Sequence, residues 1–184
     1  MTSPETCRIP NLPRDAWTDE VRDVFAVFEG EAGRQNGSKF NVIQMFAQHP
    51  KLSHAWLTYN RILSDGVLPK RLHELAVLRV LHRNRSNYEW PNHVQIAKQA
   101  AGFTDEMIEG VKQGPEAAVW TDLDRLVLRA TDQLCEAGDL DQPTWDALAA
   151  DLDHQQILEL LFTIGSYSML SWIFKATRLQ PEGG

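Results

Sequence analysis

Cysteine is scarce in this sequence, and the little there is has no partner spacing. Of 184 residues only Cys7 and Cys135 are cysteines, far apart and each alone. That excludes a disulfide framework or a zinc knuckle, both of which need clustered thiols, and ranks a lone Cys7–Cys135 bridge low. Positive charge is also short. Eighteen Lys and Arg face 25 Asp and Glu, a formal net charge of -7. A nucleic-acid partner requires a basic face that releases counterions, so none is expected. The one basic cluster, His82 to Arg85, has a simpler role beside a helix C-terminus. No apolar run approaches the ~20 residues that span a bilayer, so no membrane partner is expected either. The opening stretch MTSPETCRIPNLPRD lacks the basic start and apolar core of a signal peptide, and the expectation is a cytoplasmic protein. There is no Gly-rich phosphate loop and no dinucleotide fingerprint, so no cofactor is expected. No segment sustains the period-2 alternation of a half-buried strand.

What is present reads as helix almost throughout. Hydrophobic residues at 43% and charged residues at 23% are ordinary for a globular chain, and the length suits one core. A leader over 1–17, punctuated by Pro4, Pro10 and Pro13, precedes a single helical domain over 18–184. Thr18 is placed to cap a helix bearing Val21, Val24, Phe25 and Phe28, and 33–38 reads as a loop. A short helix over 41–48 follows. Leu52, Ala55, Trp56, Tyr59, Ile62 and Leu63 then form an apolar stripe ended by Asp65-Gly66. Pro69 opens a helix carrying Leu72, Leu75, Ala76, Leu78 and Val80, with a turn at 84–86. Further helices are expected over 88–101, after Thr104, and near 122–137, 143–151 and 155–177. The fold class is all-α, a helical bundle.

One group of residues carries chemistry: Glu74, then Asn87-Tyr88-Glu89-Trp90, then His93. Glu89 and His93 are four apart and stack on one helix face. Measured from a turn at Arg85, Glu74 and His93 differ in height by about 4–5 Å at ~1.5 Å rise per residue. Two carboxylates and an imidazole therefore share one place between antiparallel helices. Crowded or desolvated carboxylates have raised pKa and histidine titrates near neutrality, so acid and base are both populated at pH 7. A solvated Glu89–His93 surface pair is the plain alternative. His49, His54, His73, His82 and His154 read as surface or helix-end residues, with His73 on another face from Glu74. Trp56, Trp120, Trp145 and Trp172 read as core or subunit contacts. Asp122, Asp124 and Asp132 read as helix-start and surface charges.

The stretch LHELAVLRVLHRNRSNYEWPNHVQIAKQAAGF resembles the signature segment of the carboxymuconolactone decarboxylase and alkylhydroperoxidase D superfamily. Its peroxidase branch runs glutamate, eleven residues, Cys-x-x-Cys, three residues, histidine. Laid on this chain, those positions are Glu74, Ser86, Glu89 and His93. The resemblance implies an alkylhydroperoxidase D-like helical bundle, a homo-oligomer (trimer or hexamer), and a small-molecule substrate bound near subunit contacts.

Serine and glutamate in the two cysteine places remove the thiol chemistry, which needs a thiolate and a resolving cysteine. The expectation is therefore an enzyme of lyase, decarboxylase or isomerase type, acting by acid–base catalysis on a small oxygenated substrate. His93 is the general acid or base, Glu74 orients it or shares its proton, and Glu89 is the second proton-transfer group. Ser86, Asn87, Tyr88 and Trp90 line the substrate pocket. A decarboxylase also needs a cation for the substrate carboxylate; Arg79, Arg83 and Arg85 are near in sequence. Two alternatives use the same residues differently: a divalent-metal site of Glu74, Glu89 and His93, or a non-catalytic helical binding module.

Overall fold

The computed structural model describes residues 7–182; Pro4 of the leader lies outside them. Among the described residues there are nine α-helices and no strand, preceded by a 3-10 turn at Arg14–Ala16. The helices are α1 Asp19–Asn36, α2 Asn41–Phe46, α3 Pro50–Ser64, α4 Lys70–Arg83, α5 Trp90–Ala101, α6 Asp105–Gln113, α7 Asp122–Ala137, α8 Gln142–Asp151 and α9 His154–Thr177. They divide into two compact units, Met1–Ile62 with Phe174–Gly184, and Leu63–Ile173.

In the first unit, Thr18 caps α1 as expected, its hydroxyl accepting from the Val21 N–H. Helix then continues to Asn36, so the loop expected over 33–38 is mostly absent. The break falls earlier, at Gly30, which takes φ 57 and ψ -142 inside α1. That conformation suits a residue without Cβ, and the chain re-enters a helix after it. Val21, Val24, Phe25, Ile43, Ala47 and Leu57 form the core here, with Trp17 set edge-on to Phe25 at 4.8 Å. The apolar stripe of α3 is rotated from the expected one. Ser53 and Leu57 are buried while Leu52 and Ile62 are more than half exposed.

The second unit is built around α4. Every residue from Leu72 to Leu81 is buried, three of them ionisable or charged. A helix buried on all sides is a central helix, and α5, α6 and α7 pack on it. Helix α5 begins at Trp90 rather than Tyr88, because Pro91 in its first turn lacks the N–H an earlier start would use. Its end is as expected, with Gly102 in the left-handed conformation donating to Ala97. Helix α7 opens with a full capping box between Thr121 and Asp124.

The surface readings of two aspartates are corrected in this unit. Asp132 is no free surface charge: it accepts from Arg79 Nε and Nη2 at 2.7 and 2.8 Å. Asp124 does sit at a helix start, but it is buried and held by Arg71 at 2.8 and 3.1 Å. Helix α9 departs from a further expectation. Among the described residues it is the one helix long and apolar enough to cross a membrane by length and composition. Its run is interrupted by Thr163, Ser166, Ser168 and Ser171, all buried, which hides its length in a search for uninterrupted apolar sequence.

Candidate functional site

Glu74 is 1% exposed, in the middle of the buried stretch of α4. A carboxylate there must be satisfied on both oxygens. Its Oε2 lies 2.9 Å from Nδ1 of His93 on α5. Its Oε1 lies 3.2 Å from Nδ1 of His73 and 3.2 Å from Nζ of Lys70, one turn back on α4. Burial alone would push the Glu74 carboxyl up. The hydrogen bonds and positive charge offered by His73 and His93 outweigh it and hold the carboxyl far below the usual range. The expectation of a raised carboxylate is therefore corrected at Glu74: its neighbours are donors, not another acid.

An ionised carboxylate only accepts, so Nδ1 of His93 carries the proton it gives to Glu74. The other ring nitrogen, Nε2, faces Oε2 of Glu89 at 3.6 Å. Glu89 stands at the N-cap of α5, and the N–H of His93 returns to its carbonyl at 3.1 Å. In neutral His93 the Nε2 lone pair points toward Glu89; protonated, the same nitrogen donates that way. The imidazole thus stands between two carboxylates, with Glu74 fixing the ring from behind.

Three residues at this place were not singled out from sequence. His73, expected on a different face, is buried and bonded to Glu74. Lys70 was readable in principle, since it is i,i+4 with Glu74. Tyr167 of α9 sets its ring edge-on to His93, with centroids 4.9 Å apart. Burial raises its phenol well above the ordinary value, and the charges of Glu89 and Glu74 add to that, so it stays a neutral wall. Nothing in local sequence marks a tyrosine more than seventy positions away in the chain.

Residues 50–133 match the model of the carboxymuconolactone decarboxylase family. The fold agrees with solved structures of low identity. An uncharacterized peroxidase-related protein from Silicibacter sp. TM1040 superposes with TM-score 0.79 at 19% identity, covering 100% of this chain and 96% of that one. An alkylhydroperoxidase AhpD core protein from Ralstonia eutropha JMP134, also uncharacterized and peroxidase-related, gives 0.78 at 18%, covering 98% and 95%. A protein of unknown function from Agrobacterium tumefaciens gives 0.66 at 20%, covering 74% and 94%. No curated protein matches the sequence. Residues 50–133 are thus similar to the carboxymuconolactone decarboxylase family, and the chain shares the helical fold of the AhpD-like structures.

The expected pocket residues separate within this fold. Ser86, Asn87 and Trp90 line a cleft of about 690 Å³, together with Arg79, Leu81, His82, Arg83, Arg85 and Lys112. Glu74, Glu89 and His93 are not among its lining residues, and neither is Tyr88, which is buried. Arg79 is no candidate for a substrate carboxylate. Asp132 takes two of its donors, and the carbonyls of Val111 and Lys112 take another at 2.7 and 3.2 Å. Gly114 permits this: a Cβ there would lie 2.8 Å from Arg79 Nη2, and its φ is +99. Among the described residues no group of three or more His, Cys, Asp or Glu side chains is arranged to hold a metal. Nδ1 of His93 is committed to Glu74 besides, so the three-ligand metal alternative has no geometric support. Both cysteines are free thiols, and burial pushes that of Cys135 up.

Proposed function

We propose that this protein is an acid–base enzyme of lyase, decarboxylase or isomerase type, acting on a small oxygenated organic substrate without thiol peroxidase activity. The observation that carries the reading is the chain Glu74–His93–Glu89, with 2.9 Å on one side of the imidazole and 3.6 Å on the other. A permanently ionised carboxylate behind the ring keeps Nε2 as the reactive nitrogen and stabilises the imidazolium that forms when it takes a proton. Glu89 is the second proton-transfer group. For isomerisation they take a proton from the carbon next to a carbonyl and return one to the enolate; for decarboxylation the broken C–C bond releases CO2 and leaves an enolate whose carbon they protonate. Against peroxidase chemistry stand Ser86 and Glu89 at the places of the two thiols, and the raised thiol of Cys135. The active form is a homo-oligomer, as the family resemblance implies, self-associating through exposed apolar residues of α9.

The reading is tested by solvent deuterium wash-in, followed by NMR over a panel of small lactones, hydroxy acids and keto acids. The wild type is expected to exchange at least one substrate, and His93→Asn to lower that rate by about 10²-fold or more. An intact wild type that exchanges none would return the trio to the non-catalytic binding module. In the same preparation, cumene hydroperoxide with dithiothreitol should be turned over no faster than by Cys135→Ser. A loss of peroxide turnover in that variant would overturn the second half of the proposal.

A further inference from the structure

The cleft at the α4–α5 turn has a character that the proton-transfer site does not use. Its lining contains Arg79, His82, Arg83, Arg85 and Lys112 and no acidic residue, on a chain whose net charge is -7. Positive charge concentrated in a concave place focuses the field far more than scattered surface lysines do. Not all of it is spent. Arg79 is neutralised by Asp132. Arg83 reaches Asp132 only at 3.7 Å and Glu136 only at 3.5 Å. Lys112 has a solvent-exposed partner in Glu109. Arg85 makes no ion pair with the described residues; it is exposed, and it holds the left-handed φ of 52.

Two further features point to a ligand. Ser86 is 3% exposed, lines the cleft, and its buried Oγ has no hydrogen-bond partner. A buried hydroxyl left unsatisfied is destabilising unless something completes it. Trp90 supplies a flat apolar wall, with Lys112 Nζ 5.9 Å from its ring centroid and the His82 ring at 6.1 Å. The volume of about 690 Å³ suits a small molecule rather than a macromolecular groove. The His82 imidazole is held below its ordinary pKa, first by burial and then by Arg79 and Lys112.

We propose that this cleft binds a small, doubly charged organic oxyanion with a planar body, its charge met by Arg83, Arg85 and Lys112, its oxygen by Ser86 Oγ, and its ring by Trp90. The shared chemistry fits an aromatic dicarboxylate or an aryl phosphate ester. The site is separate from Glu74 and His93 and stands or falls independently of the proposed reaction.

Isothermal titration with phthalate and with phenyl phosphate, at constant ionic strength, tests it and distinguishes the two anion sources. Saturable one-to-one binding of either is expected, with benzoate at least tenfold weaker. The double variant Arg85→Gln, Lys112→Gln should weaken binding at least tenfold. Both side chains are exposed, so its unfolding midpoint should not move. Ser86→Ala should weaken binding by about fivefold. Absence of saturable heat with both anions, or equal affinity in the double variant, overturns the proposal. So does tight binding of a single-stranded RNA oligonucleotide with neither small anion bound.

Discussion

Glu74 is a full negative charge placed where ten successive residues are buried, and its surroundings decide what it does. Because its folded pKa lies below the ordinary 4.5, the native state binds fewer protons than the unfolded chain in acid. Its contribution to stability is thus fully present above about 4.5 and is lost as pH falls toward the folded value. Glu74→Gln should remove that acid dependence and cost about 1–3 kcal/mol near pH 7. Urea unfolding of wild type and variant, at neutral pH and again below pH 4.5, checks this through the difference between the two pH values. A wild type whose stability does not fall in acid relative to the variant would show the carboxylate to be unsupported. The same substitution takes away the acceptor that fixes Nδ1–H, so turnover should fall with a changed pH profile rather than a changed KM.

Legibility at this scale followed from geometry. Glu74 and His93 could be paired from sequence because helix rise sets their heights across a turn, and Glu89 with His93 because they share a face. His73 could not. Consecutive residues leave a helix about 100° apart, yet both side chains are long enough to close a 3.2 Å contact beyond the Cβ positions. Tyr167 depends on where α9 packs, which no local pattern encodes.

At the scale of elements, helix starts were the most readable features, since caps are short-range chemistry. Thr18, Thr104, Thr121 and Asp141 each accept from a backbone N–H near the start of the helix that follows. Burial was less readable. The stripe on α3 was misplaced by part of a turn, because Ser53 takes a core position by bonding to the His49 carbonyl at 3.1 Å. The start of α7 joins both kinds of information. Asp124 is at once the reciprocal member of a capping box and the buried partner of Arg71. Burial would raise its carboxyl, but the Arg71 and Thr121 hydrogen bonds hold it below the ordinary value. Thr121→Ala removes one cap bond and should cost about 1 kcal/mol. Asp124→Ala also strands a guanidinium and should cost about 3–5 kcal/mol. Equal losses in thermal or urea unfolding would mean that the Arg71 pair adds nothing to the cap.

For the molecule as a whole, the unresolved demand is the outer face of α9. Leu158, Phe162, Met169 and Trp172 are all exposed, Leu158 by 55% and Trp172 by 61%. With Gly165 they follow a 4-3-4-3 spacing, the pattern of a helix seam, and a Cβ on Gly165 would meet nothing within 4 Å. In the self-association proposed above, such a face would pair with its own copy around a symmetry axis, large residues of one flanking the bare backbone of the other. The alternative occupant is lipid, since the helix has the length and composition to span a bilayer. The buried side of α9 argues for protein: Thr163, Ser166 and Ser171 are 0–4% exposed, and Ser171 bonds back to the Tyr167 carbonyl at 2.7 Å. Light scattering on the eluting protein should give a multiple of one chain's mass. Leu158→Glu with Trp172→Glu should reduce it to a single chain while the helical circular dichroism stays unchanged. Because neither substituted side chain belongs to the proton-transfer trio, any accompanying fall in activity would show that the site needs the partner copy. A wild type of single-chain mass that floats with liposomes would instead assign the face to a membrane surface.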